Sequence, residues 1–240
     1  MPMPRMARLV VPGFPHHVTQ RGSRKQTTFF SDDDYRVYLS LLQDYRLKAH
    51  VEIWAYCLMP NHVHLVAVPQ QPDSLEKLLR NAHHRYARRI NVRNGWQGHL
   101  WQERFHSFVM DEAHLLAAVR YVELNPVRAG LCSHPAEWRW SSVHAHLNAR
   151  PDPVVDRRPM CERIPNWQAY LAETSSGPTD HELRHHAMTG LPAGNEAFVA
   201  GLEAMFGMRL RRLPPGPKPK EFGDCPQAPQ RGQLPNSRVR

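Results

Sequence analysis

The chain has 240 residues, a formal charge of +9 and a pI near 9.8. Such a length holds one core of ordinary size with an appendage, and the excess of Lys and Arg makes a polyanion the first partner to consider, because binding releases counterions from phosphates. No run approaches the roughly 20 apolar residues of a membrane span, the N-terminus has no apolar segment ahead of a small-residue cleavage site, and Cys57, Cys132, Cys161 and Cys225 form no C-x-x-C pair, so a membrane anchor, secretion and a cysteine zinc site are not expected and a reducing cytoplasm is.

In chain order, Arg8 to Gln20 is rich in Val and aromatic residues but broken by Pro12 and Pro15, which predicts an irregular first strand with its ladder part near His17 to Gln20. Ser31 followed by Asp32, Asp33 and Asp34 predicts a helix start, and Tyr35, Tyr38, Leu39, Leu42 and Tyr45 carry its spacing to about Ala49. Val51 to Leu58 and Val63 to Val68 read as strands joined by a turn at Met59, Pro60 and Asn61. Ser74 opens a second helix with an apolar stripe through Leu75, Leu78, Leu79, Ala82, Tyr86 and Ile90 and a basic opposite face. Arg104 to Met110 follows as a strand, and Asp111 caps a helix that ends near Asn125, ahead of Pro126.

The order β-α-β-β-α-β followed by another helix predicts an α+β fold, a ferredoxin-like split β-α-β antiparallel sheet with an added helix. Residues 1–149 are expected to form the main domain and 150–207 a helical extension with one clear amphipathic stretch, Glu196 to Phe206. The basic, Pro-rich tail from Met208 to Arg240 is expected to be disordered when alone.

The chemistry concentrates in two places. His62 and His64 stand at i and i+2 on a predicted strand, so both imidazoles point to one face and offer half a site for a divalent ion; a chain with 16 histidines also produces such a pair by chance. Tyr121 and Asn125, four apart on a predicted helix, share a face one turn apart, and an amide carbonyl suits a hard ion such as magnesium or manganese. By spacing alone the same pair also fits a half-buried aromatic near a helix stop. Leu115, Val119 and Val122 form a separate apolar stripe, so the Tyr121 face need not be the buried one. Between Arg80 and His106, Arg80, Arg85, Arg88, Arg89, Arg93 and Arg104 stand against the single acid Glu103, with Trp96, Trp101 and Phe105 interleaved. Guanidinium groups for phosphates and flat rings for bases suit a single-stranded nucleic acid; Tyr86 and Trp101 are expected in the core.

The runs MPNHVHLVAVP (59–69), YVELNPVRAGL (121–131), GHLWQERFHS (98–107) and EWRWSSVHAHL (137–147) resemble the HUH single-tyrosine transposases, in particular the REP-associated tyrosine transposases of bacteria. The resemblance spans about Arg8 to Leu147. It implies that His62, His64 and Asn125 bind Mg2+ or Mn2+, and that Tyr121 attacks a phosphate of single-stranded or hairpin DNA, leaving a 5′-phosphotyrosine that a second strand's hydroxyl can reverse. A monomer or homodimer in the cytoplasm, associated with the nucleoid, is the implied setting. Two other readings compete: a non-catalytic nucleic-acid-binding module, and a metal-dependent hydrolase in which water attacks. A protein-DNA covalent adduct separates the transposase from both.

Overall fold

The computed structural model describes residues 8–173 and 177–211. Through residue 123 the elements follow the predicted order: β1 (His16–Arg21), α1 (Asp32–Lys48), β2 (Val51–Met59), β3 (His62–Pro69), α2 (Ser74–Asn94), β4 (His106–Val109) and α3 (Glu112–Glu123). Local chemistry accounts for their ends. The Asp34 carboxylate accepts from the backbone of Phe30 and Ser31 at 2.9 and 3.1 Å, closing a capping box at the start of α1. Asp111 accepts from the His114 backbone at 2.9 Å and starts α3. Gly95, at φ +65°, closes α2 in the left-handed conformation that any Cβ would strain.

The four strands lie in the order β2-β3-β1-β4, all neighbours antiparallel, which is the arrangement of the ferredoxin-like split unit. Alternation along the inner strands sends Val18, Val63, Leu65 and Ala67 beneath α1 and α2. Val66 and Val68, with Phe108 of β4, face the other way and pack with Leu115, Val119 and Val122 of α3. The even positions of β3 therefore look toward the added helix, and His62 and His64 are even.

After α3 come α4 (Asn125–Arg128), α5 (Val143–Leu147), α6 (Arg158–Arg163), α7 (Trp167–Ala172), α8 (Asp180–Thr189) and α9 (Glu196–Phe206). Only α9 is legible from periodicity. The others run 4 to 10 residues, too few turns for a repeat to stand out. Long-range packing holds several of them: Met160, Ile164, Trp167, Tyr170 and Leu183 join the core beneath α3, so residues 150–207 share a core with the domain before them. The expectation for the basic tail falls outside the described residues from Arg212 onward, whereas Leu210 is buried with Val11, Val109 and Leu202.

A buried carboxylate ties α3 to this extension. Glu123 is 0% exposed. It accepts from Ser142 Oγ at 2.6 Å and Trp167 Nε1 at 2.8 Å, and His146 Nδ1 lies 2.6 Å from its Oε1. The EWRWSSVHAHL run thereby gains a structural account, since Ser142 and His146 belong to it. Glu123→Ala leaves these donors without an acceptor in a dry place and is expected to cost about 3–5 kcal/mol. Urea unfolding measures this, and a loss below about 1 kcal/mol would mean the network can be rebuilt with water.

Buried histidines set an acid limit on stability. Desolvation pushes His16 down to about 4 and His17 and His83 down to about 3, from an ordinary value of 6.5. Between those values the unfolded chain binds protons that the folded one refuses. The contribution of these groups is therefore complete above pH 6.5 and is lost as pH falls toward 4 and 3, by up to about 1.4 kcal/mol per pH unit for each. Urea midpoints are expected to drop between pH 7 and pH 5; equal midpoints would show that the three rings are not held neutral.

Candidate active site

His62 and His64 project from β3 toward α3, and α3 brings Tyr121 to meet them. The Tyr121 and His64 rings stand edge to face with centroids 5.6 Å apart, and the His62 and His64 centroids are separated by 4.9 Å. His62, His64 and Tyr121 line one cleft of about 500 Å³ with His17, Thr19 and Arg21 of β1. Tyr121 is only 8% exposed, so its side of α3 is buried as well as the apolar stripe. The burial comes from neighbours absent from local spacing: the guanidinium of Arg128 lies 5.2 Å from the ring centroid, and that of Arg184 on α8 lies 6.0 Å from it.

Asn125 reaches the site by a different route from the predicted one. α3 ends at Glu123, Leu124 is its cap, and Asn125 opens the short α4, whose second residue is Pro126. Proline is tolerated there because the first amides of a helix have no intrahelical partner. Asn125 is nevertheless 8% exposed and its amide nitrogen is 3.3 Å from His64 Nε2. A half-turn of the amide puts its carbonyl oxygen in the same place.

The donor set fits a divalent ion. His62 Nδ1 is 2.5 Å from Asn61 Oδ1, which only accepts, so the proton of His62 sits on Nδ1 and its Nε2 carries a lone pair. Burial first, and Arg21 second, push the His62 pKa down to about 4, while burial pushes that of His64 well below its ordinary value. Both rings are thus neutral, the form that binds metal. Among the described residues no three of His, Cys, Asp and Glu are grouped to hold an ion, and the side chain that abuts His64 Nε2 is the Asn125 amide.

The predicted arginines divide. Arg93 holds the buried Asp34 through two contacts of 2.6 and 2.9 Å, and Arg89 pairs with Asp33 at 2.7 Å, so both brace α2 against the start of α1. Arg80, Arg88 and Arg104 line a second cleft of about 920 Å³ with Trp96, and Arg85 is exposed beside it on α2. Of the interleaved aromatics, Trp96 is 45% exposed while Trp101 and Phe105 are buried, as is Tyr86. Gln20 and Glu103 belong to the walls of both clefts, which therefore adjoin.

Sequence reasoning passed over His17 and Arg184. No local signal marks either: His17 faces the site only through strand pairing, and Arg184 lies in the extension, where periodicity is weak. No helix among the described residues is long and apolar enough to cross a membrane.

Residues 14–125 match the family model described as "Transposase IS200 like". A REP-associated tyrosine transposase of Escherichia coli (strain K12) is 26% identical over 94 residues, 39% of this chain and 54% of that protein. A relative in Haemophilus influenzae is 25% identical over 109 residues, 41% of this chain and 62% of its own length. The matches thus span little more than half the length of these curated relatives. Among solved structures, a REP-associated tyrosine transposase bound to a REP hairpin superposes with a TM-score of 0.53 and 18% identity, over 74% of this chain and 98% of the other, which is a likeness of fold. The segment 14–125, which carries His62, His64, Tyr121 and Asn125 on a split β-α-β sheet, is similar to the IS200-like transposases, and among named relatives to the REP-associated tyrosine transposases.

Proposed function

We propose that the chain cleaves and rejoins single-stranded DNA through a 5′-phosphotyrosine, with Tyr121 as nucleophile and with His62, His64 and Asn125 as ligands of Mg2+ or Mn2+, and that this serves DNA transposition at palindromic or hairpin repeats. The observation that carries the reading is the 5.6 Å approach of the Tyr121 ring to His64 in a cleft that His62 also lines. When bound, the divalent ion offsets charge on the scissile phosphate.

The remaining roles belong to side chains. The Tyr121 oxygen forms a bond to phosphorus and gives up its proton to solvent; the bond from phosphorus to the 3′ oxygen breaks, and that oxygen takes a proton from solvent and leaves as a 3′-hydroxyl. The phosphodiester energy is kept in the Tyr-O-P link, so the hydroxyl of another strand can reverse the step without ATP. Arg128 and Arg184, at 5.2 and 6.0 Å from the ring centroid, place positive charge near where the phenolate forms. Arg80, Arg85, Arg88 and Arg104 take backbone phosphates and Trp96 offers a face to an unstacked base, while Arg89 and Arg93, each paired with a carboxylate, brace the helix. Because the two clefts adjoin, a strand held along α2 can continue to Tyr121. The binding of a REP hairpin by the relative of known structure supports a hairpin substrate.

Labelled single-stranded hairpin oligonucleotides incubated with the protein and Mn2+ or Mg2+ test the reading on a denaturing gel. A shortened strand together with a slow-migrating protein-DNA species is expected. Cleavage without that species would favour attack by water, and binding without cleavage a non-catalytic module.

A further inference from the structure

We infer that His17 is a positioning residue for His64, accepting the proton on His64 Nδ1 so that the Nε2 lone pair of His64 is free to face a cation beside Asn125. The inference rests on the metal reading above and goes beyond it by assigning a residue outside the ligand set.

His17 is 2% exposed, the second residue of β1, paired with Val66 on one side and Phe108 on the other. Its ring is walled by the edges of Phe108 and Tyr121, at centroid distances of 5.2 and 6.0 Å, and lies nearly parallel to that of His64, 5.3 Å away. An apolar side chain would fill this slot without desolvating an imidazole. Desolvation is severe here, pushing the pKa of His17 down to about 3. Among the described residues the His17 ring makes one hydrogen bond, from Nε2 to His64 Nδ1 at 3.1 Å, and Nδ1 has no partner. Its polar capacity is thus directed at a single atom, on the residue that also meets Tyr121 and Asn125.

Proton bookkeeping shows what that bond does. A neutral imidazole carries one proton. If His64 is to present a lone pair at Nε2, its proton must be on Nδ1 and must be donated to an acceptor inside a dry sheet face; His17 Nε2 is the atom in reach, and the proton of His17 then sits on its own Nδ1. In the opposite arrangement His17 Nε2 donates to His64 Nδ1, the proton of His64 is on Nε2, and that nitrogen is closed to a cation. The number of protons is the same in both. A cation selects the first arrangement, and His17 is what makes it satisfiable, as ligand imidazoles commonly require of the group behind them.

Two variants separate positioning from packing. His17→Leu fills the slot but cannot accept a proton, whereas the amide oxygen of His17→Gln can. Calorimetric titration with Mn2+ is expected to show affinity reduced about tenfold or more in His17→Leu and kept within about threefold of wild type in His17→Gln. Imidazole ¹⁵N spectra of wild-type protein saturated with Mg2+ should show the His64 proton on Nδ1. Wild-type Mn2+ affinity in His17→Leu would overturn the inference while leaving the metal site standing. A His64 proton on Nε2 in the Mg2+-loaded protein would overturn it too, and decides the matter should His17→Leu fail to fold. If the wild-type protein binds no Mn2+, the metal reading fails and takes this inference with it.

Discussion

Tyr121→Phe is expected to abolish strand cleavage and the covalent protein-DNA species together, lowering the rate by on the order of 10³-fold or more, as removal of a nucleophile does elsewhere. The change deletes one oxygen and almost no volume. The ring is buried against His17 and His64, and those contacts survive in Phe. The oxygen removed is near Arg184, a residue exposed to solvent and 6.0 Å from the ring centroid, so stability should change by no more than about 1 kcal/mol. DNA affinity, measured by fluorescence anisotropy with labelled hairpins, should hold. Mass spectrometry of the wild-type adduct should place the nucleotide on the peptide containing Tyr121. Tyr86, the other tyrosine beside the arginine row, is a poor competitor: it is fully buried and its hydroxyl donates to the Thr28 carbonyl at 2.7 Å. An adduct on Tyr86, or cleavage persisting in Tyr121→Phe, would leave attack by water as the better account.

His62→Ala and His64→Ala should each lower Mn2+- or Mg2+-dependent cleavage by at least about a hundredfold, because losing a direct ligand should cost no less than losing a group behind one. The two variants should differ in stability. His62 is partly exposed and, among the described residues, its ring bonds only to its neighbour Asn61, so its removal should scarcely alter the urea midpoint. His64 is buried between His17 and Asn125, and truncating it strands His17 Nε2 in an apolar slot, at a cost of about 1–3 kcal/mol. Turnover near the wild-type rate in either variant would remove the metal assignment, whatever the stabilities.

The limits of the sequence are clearest in α3. Tyr121 and Asn125 are four apart, and a continuous helix would set them one turn apart. The chain instead ends α3 at Glu123 and begins again at Asn125. The pair still reaches one site because Asn125 abuts His64, a contact made across 61 positions of sequence. The arginine row shows the reverse. Its charge is plain in the sequence, but two of its six members are engaged by Asp33 and Asp34, acids that local reading assigns only to the start of α1.

What the sequence determined by itself was everything governed by near neighbours: the order of elements through α3, their caps at Ser31 and Asp111, and the common facing of His62 and His64, since strand alternation is a property of the backbone. Tertiary structure alone decided which distant side chains meet those histidines. His17 comes to His64 because β1 lies between β3 and β4, an order no local period encodes. Arg184 comes to Tyr121 because the short, weakly patterned α8 is held over α3 by Leu183 in the shared core. Periodicity reports where a side chain points relative to its own backbone; the partner it finds there depends on packing between segments far apart in the chain.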